Sequence, residues 1–262
     1  MVAPLDDVTL GSTITQFIRG GDGADIGRLV DLLRSTGNVG ILGGMPRDLA
    51  RTGSSENFRS DVDLVVDAPA AELRRALQPH SVKYNRFGGC RFHYGAFDFD
   101  VWALESTWAV ASGYVPVQSL SDLVNTTFFD CDAVVYHCES GAISSTPGFW
   151  KSLHRRCIDI NLEFNPHRVG TLARTLRALL DWQLDLSPKL ESYLLAGLVQ
   201  HGTAVARYTR ENTRSYRFAR VLDIRQAISR LSDNGTEDSR DFQDEVRQLR
   251  AVLSSEAVGQ AV

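Results

Sequence analysis

Two short apolar runs each carry a pair of aspartates. Asp61 and Asp63 lie in Ser60-Asp61-Val62-Asp63-Leu64-Val65-Val66, and Asp98 and Asp100 in Phe97-Asp98-Phe99-Asp100-Val101-Trp102. Side chains alternate along a strand, so Asp61 and Asp63 point to one face while Val62 and Leu64 enter a core. Two carboxylates on one face of a half-buried strand repel each other and resist desolvation. A hard divalent cation relieves both effects, and oxygen ligands suit Mg²⁺, with Mn²⁺ as the alternative. A third carboxylate from the neighbouring run, Asp98 or Asp100, completes a set able to hold two ions for in-line displacement at phosphorus.

Upstream, Gly43-Gly44-Met45-Pro46-Arg47-Asp48 follows the apolar run Val39-Gly40-Ile41-Leu42. A strand turns here into a short helix, with Pro46 in its first turn. Glycines without Cβ atoms let a triphosphate approach the backbone, and the helix N-terminus behind them favours anions. Arg47 is a candidate phosphate clamp, because guanidinium is a rigid multidentate donor. In the alternative, Asp48 pairs with a neighbouring arginine and the two form an ordinary helix charge pair.

Gly-Gly-x-x-Arg-Asp, then Asp-x-Asp, then a strand-borne acid resembles the head domain of the polymerase-β-like nucleotidyltransferases. More narrowly it is similar to the branch of CCA-adding enzymes and bacterial poly(A) polymerases (class II tRNA nucleotidyltransferases). The resemblance spans roughly residues 39–186. Residues 122–133, Asp122-Leu123-Val124-Asn125-Thr126-Thr127-Phe128-Phe129-Asp130-Cys131-Asp132-Ala133, are loosely similar to that branch's Arg-Asp-Phe-Thr-Ile-Asn-Ala segment. Asn165-Pro166-His167-Arg168, followed by Arg174 and Arg177, resembles its Glu-Asp-Pro-x-Arg segment and the arginine-rich neck helix behind it.

The resemblance implies Asp61, Asp63 and Asp100 as metal ligands and catalytic residues, with Asp98 nearer the edge. It implies Gly43, Gly44, Arg47 and Asp48 against the nucleotide, and Asn165 and Arg168 against the Watson–Crick edge of the incoming base. The chain departs from the pattern in three places. Phe164 and Asn165 stand where the family has Glu and Asp, Glu105 stands where the branch commonly has arginine, and residues 52–59 look like an insertion. An amide both donates and accepts where a carboxylate only accepts, so base choice would differ or relax. The implied activity is transfer of a nucleoside monophosphate from an NTP to an acceptor hydroxyl, the acceptor being an RNA 3′ end, tRNA in particular. Further helical domains usually grip tRNA in that branch, so the remaining RNA contacts would come from a partner subunit or a second copy. The alternatives are a protein or small-molecule acceptor, or a nucleotide-binding regulatory module without turnover.

The elements that must position these residues follow from periodicity. Apolar spacing predicts helices over 24–35, 47–51 and 68–78, and strands over 39–42, 61–66, 82–84, 90–94 and 96–104. Residues 1–23 read as a loop, and 128–137 and 157–162 as strands. From 166 onward the pattern is helical, over 169–180, 190–199, 216–231 and 242–253, with a break at Asp233-Asn234-Gly235. The expected architecture is α/β (α+β): a mixed-sheet head over 1–164, then an all-helical neck-like domain over 165–262.

The 262 residues carry 28 Lys and Arg against 32 Asp and Glu, a net charge of -4, which argues against a surface that clamps nucleic acid everywhere. Arg207, Arg210, Arg214, Arg217 and Arg220 still form a basic stretch, able to track an RNA backbone or simply to face solvent. Cys90, Cys131, Cys138 and Cys157 fit no zinc spacing and read as reduced core thiols. No signal peptide and no run long enough to span a bilayer is evident, so the expectation is a cytoplasmic protein with no membrane partner.

Overall fold

The computed structural model describes residues 6–55, 58, 60–85, 88–235 and 239–259. The chain divides into two compact units, Met1–Arg155 with Ile160–Phe164, and Arg156–Asp159 with Asn165–Val262.

The first unit is a mixed sheet with helices. In chain order its helices are α1 (Asp7–Arg19), α2 (Ala24–Arg34), α3 (Gly44–Thr52), α4 (Ala70–Ala76), α5 (Trp108–Ala111) and α6 (Pro147–Arg155). Its strands are β1 (Asn38–Leu42), β2 (Val62–Asp67), β3 (Lys83–Tyr84), β4 (Cys90–Tyr94), β5 (Phe97–Ala103), β6 (Val134–His137) and β7 (Ile143–Ser145), ordered β3-β4-β5-β2-β1-β6-β7. β2 and β5 run parallel, which requires a crossover; α4 and the return through β3 and β4 supply it. The other pairings in this sheet are antiparallel.

Alternation along β2 decides which face does what. Val62, Leu64 and Val66 join the main core with Leu10, Ile14, Ile26 and Leu29 of α1 and α2. Val65 turns to the opposite face, into a smaller cluster with Leu120, Leu123 and Val135. Asp63 shares that second face, the one away from α1 and α2.

α1 corrects the reading of residues 1–23 as a loop. Its Thr-rich, Gly-containing stretch has weak intrinsic helix preference. Packing overrides this: Leu10, Ile14, Phe17 and Ile18 are buried, and the Asp6 carboxylate caps the helix by accepting from the Thr9 N–H at 2.7 Å. Residues 128–137 are not one strand either. Asp130–Asp132 form a 3₁₀ turn and the ladder starts at Val134. Of 157–162, Cys157–Ile158 (β8) pairs in parallel with Asp185–Leu186 (β9) in the second unit, and Ile160 forms an isolated antiparallel bridge to Phe129 in the first.

The second unit also holds α7 (Arg168–Leu180), α8 (Pro188–Glu211), α9 (Phe218–Val221), α10 (Ile224–Gly235) and α11 (Ser239–Gly259). Leu172, Leu176, Leu179 and Leu180 are buried, and α7 lies where the helical pattern over 169–180 is expected. The single helix expected over 216–231 is two. The first ends at Leu222, whose backbone is extended, and Asp223 caps the second, its Oδ1 accepting from the Arg225 and Gln226 N–H groups. Among the described residues no helix is long and apolar enough to cross a membrane.

Candidate active site

The parallel register of β2 and β5 sets Asp63 directly beside Asp100. The antiparallel register of β4 and β5 then sets Arg91 opposite Asp100 and His93 opposite Asp98. All five side chains therefore share one sheet face. Asp61, immediately before Val62, is held there by Arg91: Nη2 reaches Asp61 Oδ2 at 2.5 Å and Nη1 reaches Asp100 Oδ2 at 3.3 Å. His93 Nδ1 lies 3.1 Å from Asp98 Oδ1, one register step further out.

Exposure separates the acids. The Asp100 side chain retains 21% of its accessibility, against 46% for Asp61 and 54% for Asp98. Burial pushes the Asp100 carboxyl above the ordinary carboxylate range; Arg91 opposes the rise, and Asp61 and Asp98 add to it. Asp100 is thus the acid beside Asp63, and Asp98 lies at the hairpin end. Among the described residues no three His, Cys, Asp or Glu side chains converge as a ready-made metal cage.

The glycine pair lies against this face. Gly43 has φ 65°, a left-handed conformation that favours glycine. Its N–H donates to the Val134 carbonyl at 2.9 Å and its carbonyl accepts from the Arg47 N–H at 2.9 Å, opening α3. A Cβ on Gly44 would lie 4.0 Å from Asp63 Oδ2, so the helix N-terminus stands beside that carboxylate.

Arg47 had two readings, phosphate clamp or pair with Asp48, and the structure has the pair. Its guanidinium is buried, Nε donating to Asp48 Oδ1 at 3.0 Å and Nη1 donating to Asp132. Burial alone would weaken the cation, but Asp48 and Asp132 hold it more firmly protonated than an ordinary arginine. Asp48 also accepts from Ser60 Oγ at 3.3 Å. Arg47 and Asp48 therefore pin the start of α3 to the 130–132 turn.

The two remaining sequence candidates belong to the helical unit. Asn165 Oδ1 accepts from the His167 N–H at 2.8 Å, a local turn. His167, not Asn165, caps α7, its Nδ1 accepting from the Gly170 N–H at 3.0 Å. The Arg168 guanidinium stacks over the Tyr193 ring, 5.0 Å from its centroid. Phe164, in the head, stacks on Tyr114 with ring centroids 4.4 Å apart. Glu105 caps α4, accepting from the Ala70 N–H at 2.9 Å.

Sequence reasoning missed Arg91, His93 and the role of Asp132. The first two had a signal: a hairpin turning at Gly95-Ala96 pairs His93 with Asp98 and Arg91 with Asp100. Asp132 had none, because its partner Arg47 is distant in the chain.

No family model matches the chain, and no curated protein matches its sequence. Solved structures do match it in fold. A tRNA-processing enzyme with CTP has TM-score 0.51 and 17% identity over 84% of this chain. A Thermotoga maritima CCA-adding enzyme complexed with tRNA has TM-score 0.56 and 14% identity over 97% of it. A CCA-adding enzyme with ATP has TM-score 0.54 and 15% identity over 96% of it. The chain spans 57% of the length of the first of these, 72% of the second and 70% of the third. At these identities the likeness is one of fold alone: a mixed sheet followed by helices.

Proposed function

We propose that this protein is a nucleotidyltransferase, moving a nucleoside monophosphate from an NTP to the 3′ hydroxyl of an RNA, tRNA in particular. The acceptor hydroxyl gives its proton to one of the carboxylates, its oxygen attacks the α-phosphorus, the bond from that phosphorus to the oxygen bridging to the β-phosphate breaks, and pyrophosphate leaves. The observation that carries the reading is the adjacency of Asp63 and Asp100 in register, with the Gly43-Gly44 turn and the α3 N-terminus against them. The α3 N-terminus would receive the triphosphate. The Arg47, Asp48 and Asp132 set would keep that turn from shifting.

Asp61, Asp63 and Asp100 would hold divalent ions, Mg²⁺ or Mn²⁺. Two features support the fit. Burial and acidic neighbours raise the Asp100 carboxyl, a cost that a cation removes, and a guanidinium already lies between Asp61 and Asp100 as a resident cation. Such ions, when bound, stabilise charge growing at the α-phosphate and acidify the acceptor hydroxyl. The protein's own part is placement of the donor and acceptor. The similar tRNA-processing and CCA-adding structures with nucleotides and tRNA support the choice of substrates.

A nucleotide-binding module without turnover is the second reading, favoured by the prior neutralisation of Asp61 and Asp100 by Arg91. Incubating the protein with each labelled NTP and total RNA, beside a pyrophosphate-release assay, separates the two. Label in RNA together with released pyrophosphate is the expected result. Calorimetric NTP binding with neither product selects the module.

A further inference from the structure

Arg91 opposes Asp100 across the β4–β5 ladder and reaches two carboxylates at once. The atoms it occupies, Asp61 Oδ2 at 2.5 Å and Asp100 Oδ2 at 3.3 Å, belong to carboxylates that an ion would need. The Arg91 side chain keeps 54% of its accessibility, so it has solvent to move into. Burial alone would weaken its charge, but Asp100, Asp61 and Asp98 hold it more firmly protonated than usual.

We infer that Arg91 is a displaceable cation latch on this site. It neutralises Asp61 and Asp100 in the ion-free protein and yields them when a divalent ion loads. This rests on the reading of Asp61, Asp63 and Asp100 as ion ligands. The argument is competition for the same oxygens. Without the guanidinium, half-buried carboxylates on one strand face would repel each other. With it, an incoming ion must first break a charge-assisted fork, which lowers its affinity. The displaced guanidinium stays on β4, on the sheet face that carries Asp63. It is there a multidentate donor for phosphate. Ion loading therefore frees a phosphate ligand, and by linkage the phosphate ligand favours ion loading.

The test is Mn²⁺ titration of the full, nucleotide-free chain, with free Mn²⁺ read by electron paramagnetic resonance. Arg91→Met keeps the apolar stem and removes the charge. Its Kd for Mn²⁺ should be about threefold to tenfold lower than that of the unsubstituted protein, a modest gain because the fork is half exposed. Asp63→Asn should abolish the binding. An Arg91→Met Kd equal to or above the unsubstituted value, with binding still lost in Asp63→Asn, overturns the latch and leaves the ion site standing. Binding indifferent to Asp63→Asn, or no binding in any variant, overturns both. A second measurement needs no substitution. Phenylglyoxal modification of Arg91, followed by mass spectrometry, should run several-fold faster with Mn²⁺ than without. An unchanged or slower rate overturns the latch.

Discussion

Asp100 in the head and Asp181 in the helical unit have carboxyls that burial pushes above the ordinary range. Their surroundings are opposite. Asp181 ends α7 and accepts from the backbone N–H groups of Arg217 and Phe218, each at 2.9 Å, so both its oxygens are committed to starting α9. Asp100 lies among acids and shares one guanidinium with Asp61. A raised acid is therefore not by itself a sign of chemistry. Asp181 is an acid fed by amide donors and serves the fold. Asp100 is an acid kept beside other acids, and Arg91 offsets only part of what that arrangement and its burial cost.

The comparison breaks most directly at Asp63. Asp63→Asn should lower nucleotidyl transfer at least about a thousandfold, the scale of several kcal/mol of lost charge stabilisation. Its urea midpoint should hold or rise slightly, because one acid has left a repelling group. Full activity in this variant would end the site assignment. Arg47→Met should act in reverse, on stability first. It removes the buried cation that Asp48 and Asp132 share, and breaking a buried pair this way costs about 3–5 kcal/mol, measurable by urea unfolding.

Asp181→Ala should cost about 1.5–3 kcal/mol by the same measurement, through loss of a charged acceptor for two backbone donors. The pH dependence sharpens the contrast. A raised folded value means that the protonated carboxyl is favoured in the folded chain. The stability contributed by Asp100 is thus complete below its unfolded value, near 3.8, and is lost as pH rises through the higher folded value. Asp100→Asn removes that loss, so its stability should fall less than that of the unsubstituted protein between about pH 4 and pH 7. Asn165→Asp should have the smallest effect. It keeps the oxygen that accepts from His167, so stability should stay within about 0.5 kcal/mol. Relative rates with the four NTPs should also hold; a tenfold shift toward CTP and ATP would instead place the segment at the base.

The strands of the site were legible because their alternation is strict: Val62, Leu64 and Val66 against Asp61 and Asp63, and Phe97, Phe99 and Val101 against Asp98 and Asp100. The glycine turn was legible because an apolar run ends at Gly43-Gly44. What could not be read was tertiary. α1 forms because a core receives Leu10 and Ile14, not because its residues favour helix. Arg47 finds Asp132 across the chain, and no local pattern reports that. Nothing in the sequence points to His167 as the cap of α7, which only the folded geometry gives it.

The β4–β5 ladder also bears on how the site assembles. A hairpin closes from local contacts, whereas the parallel pairing of β2 with β5 must wait for a crossover to close. Local closure thus favours Arg91 meeting Asp100 within the hairpin before Asp61 and Asp63 arrive from β2. On that order the acids are not brought together bare: the hairpin that carries Asp100 also carries its counter-charge.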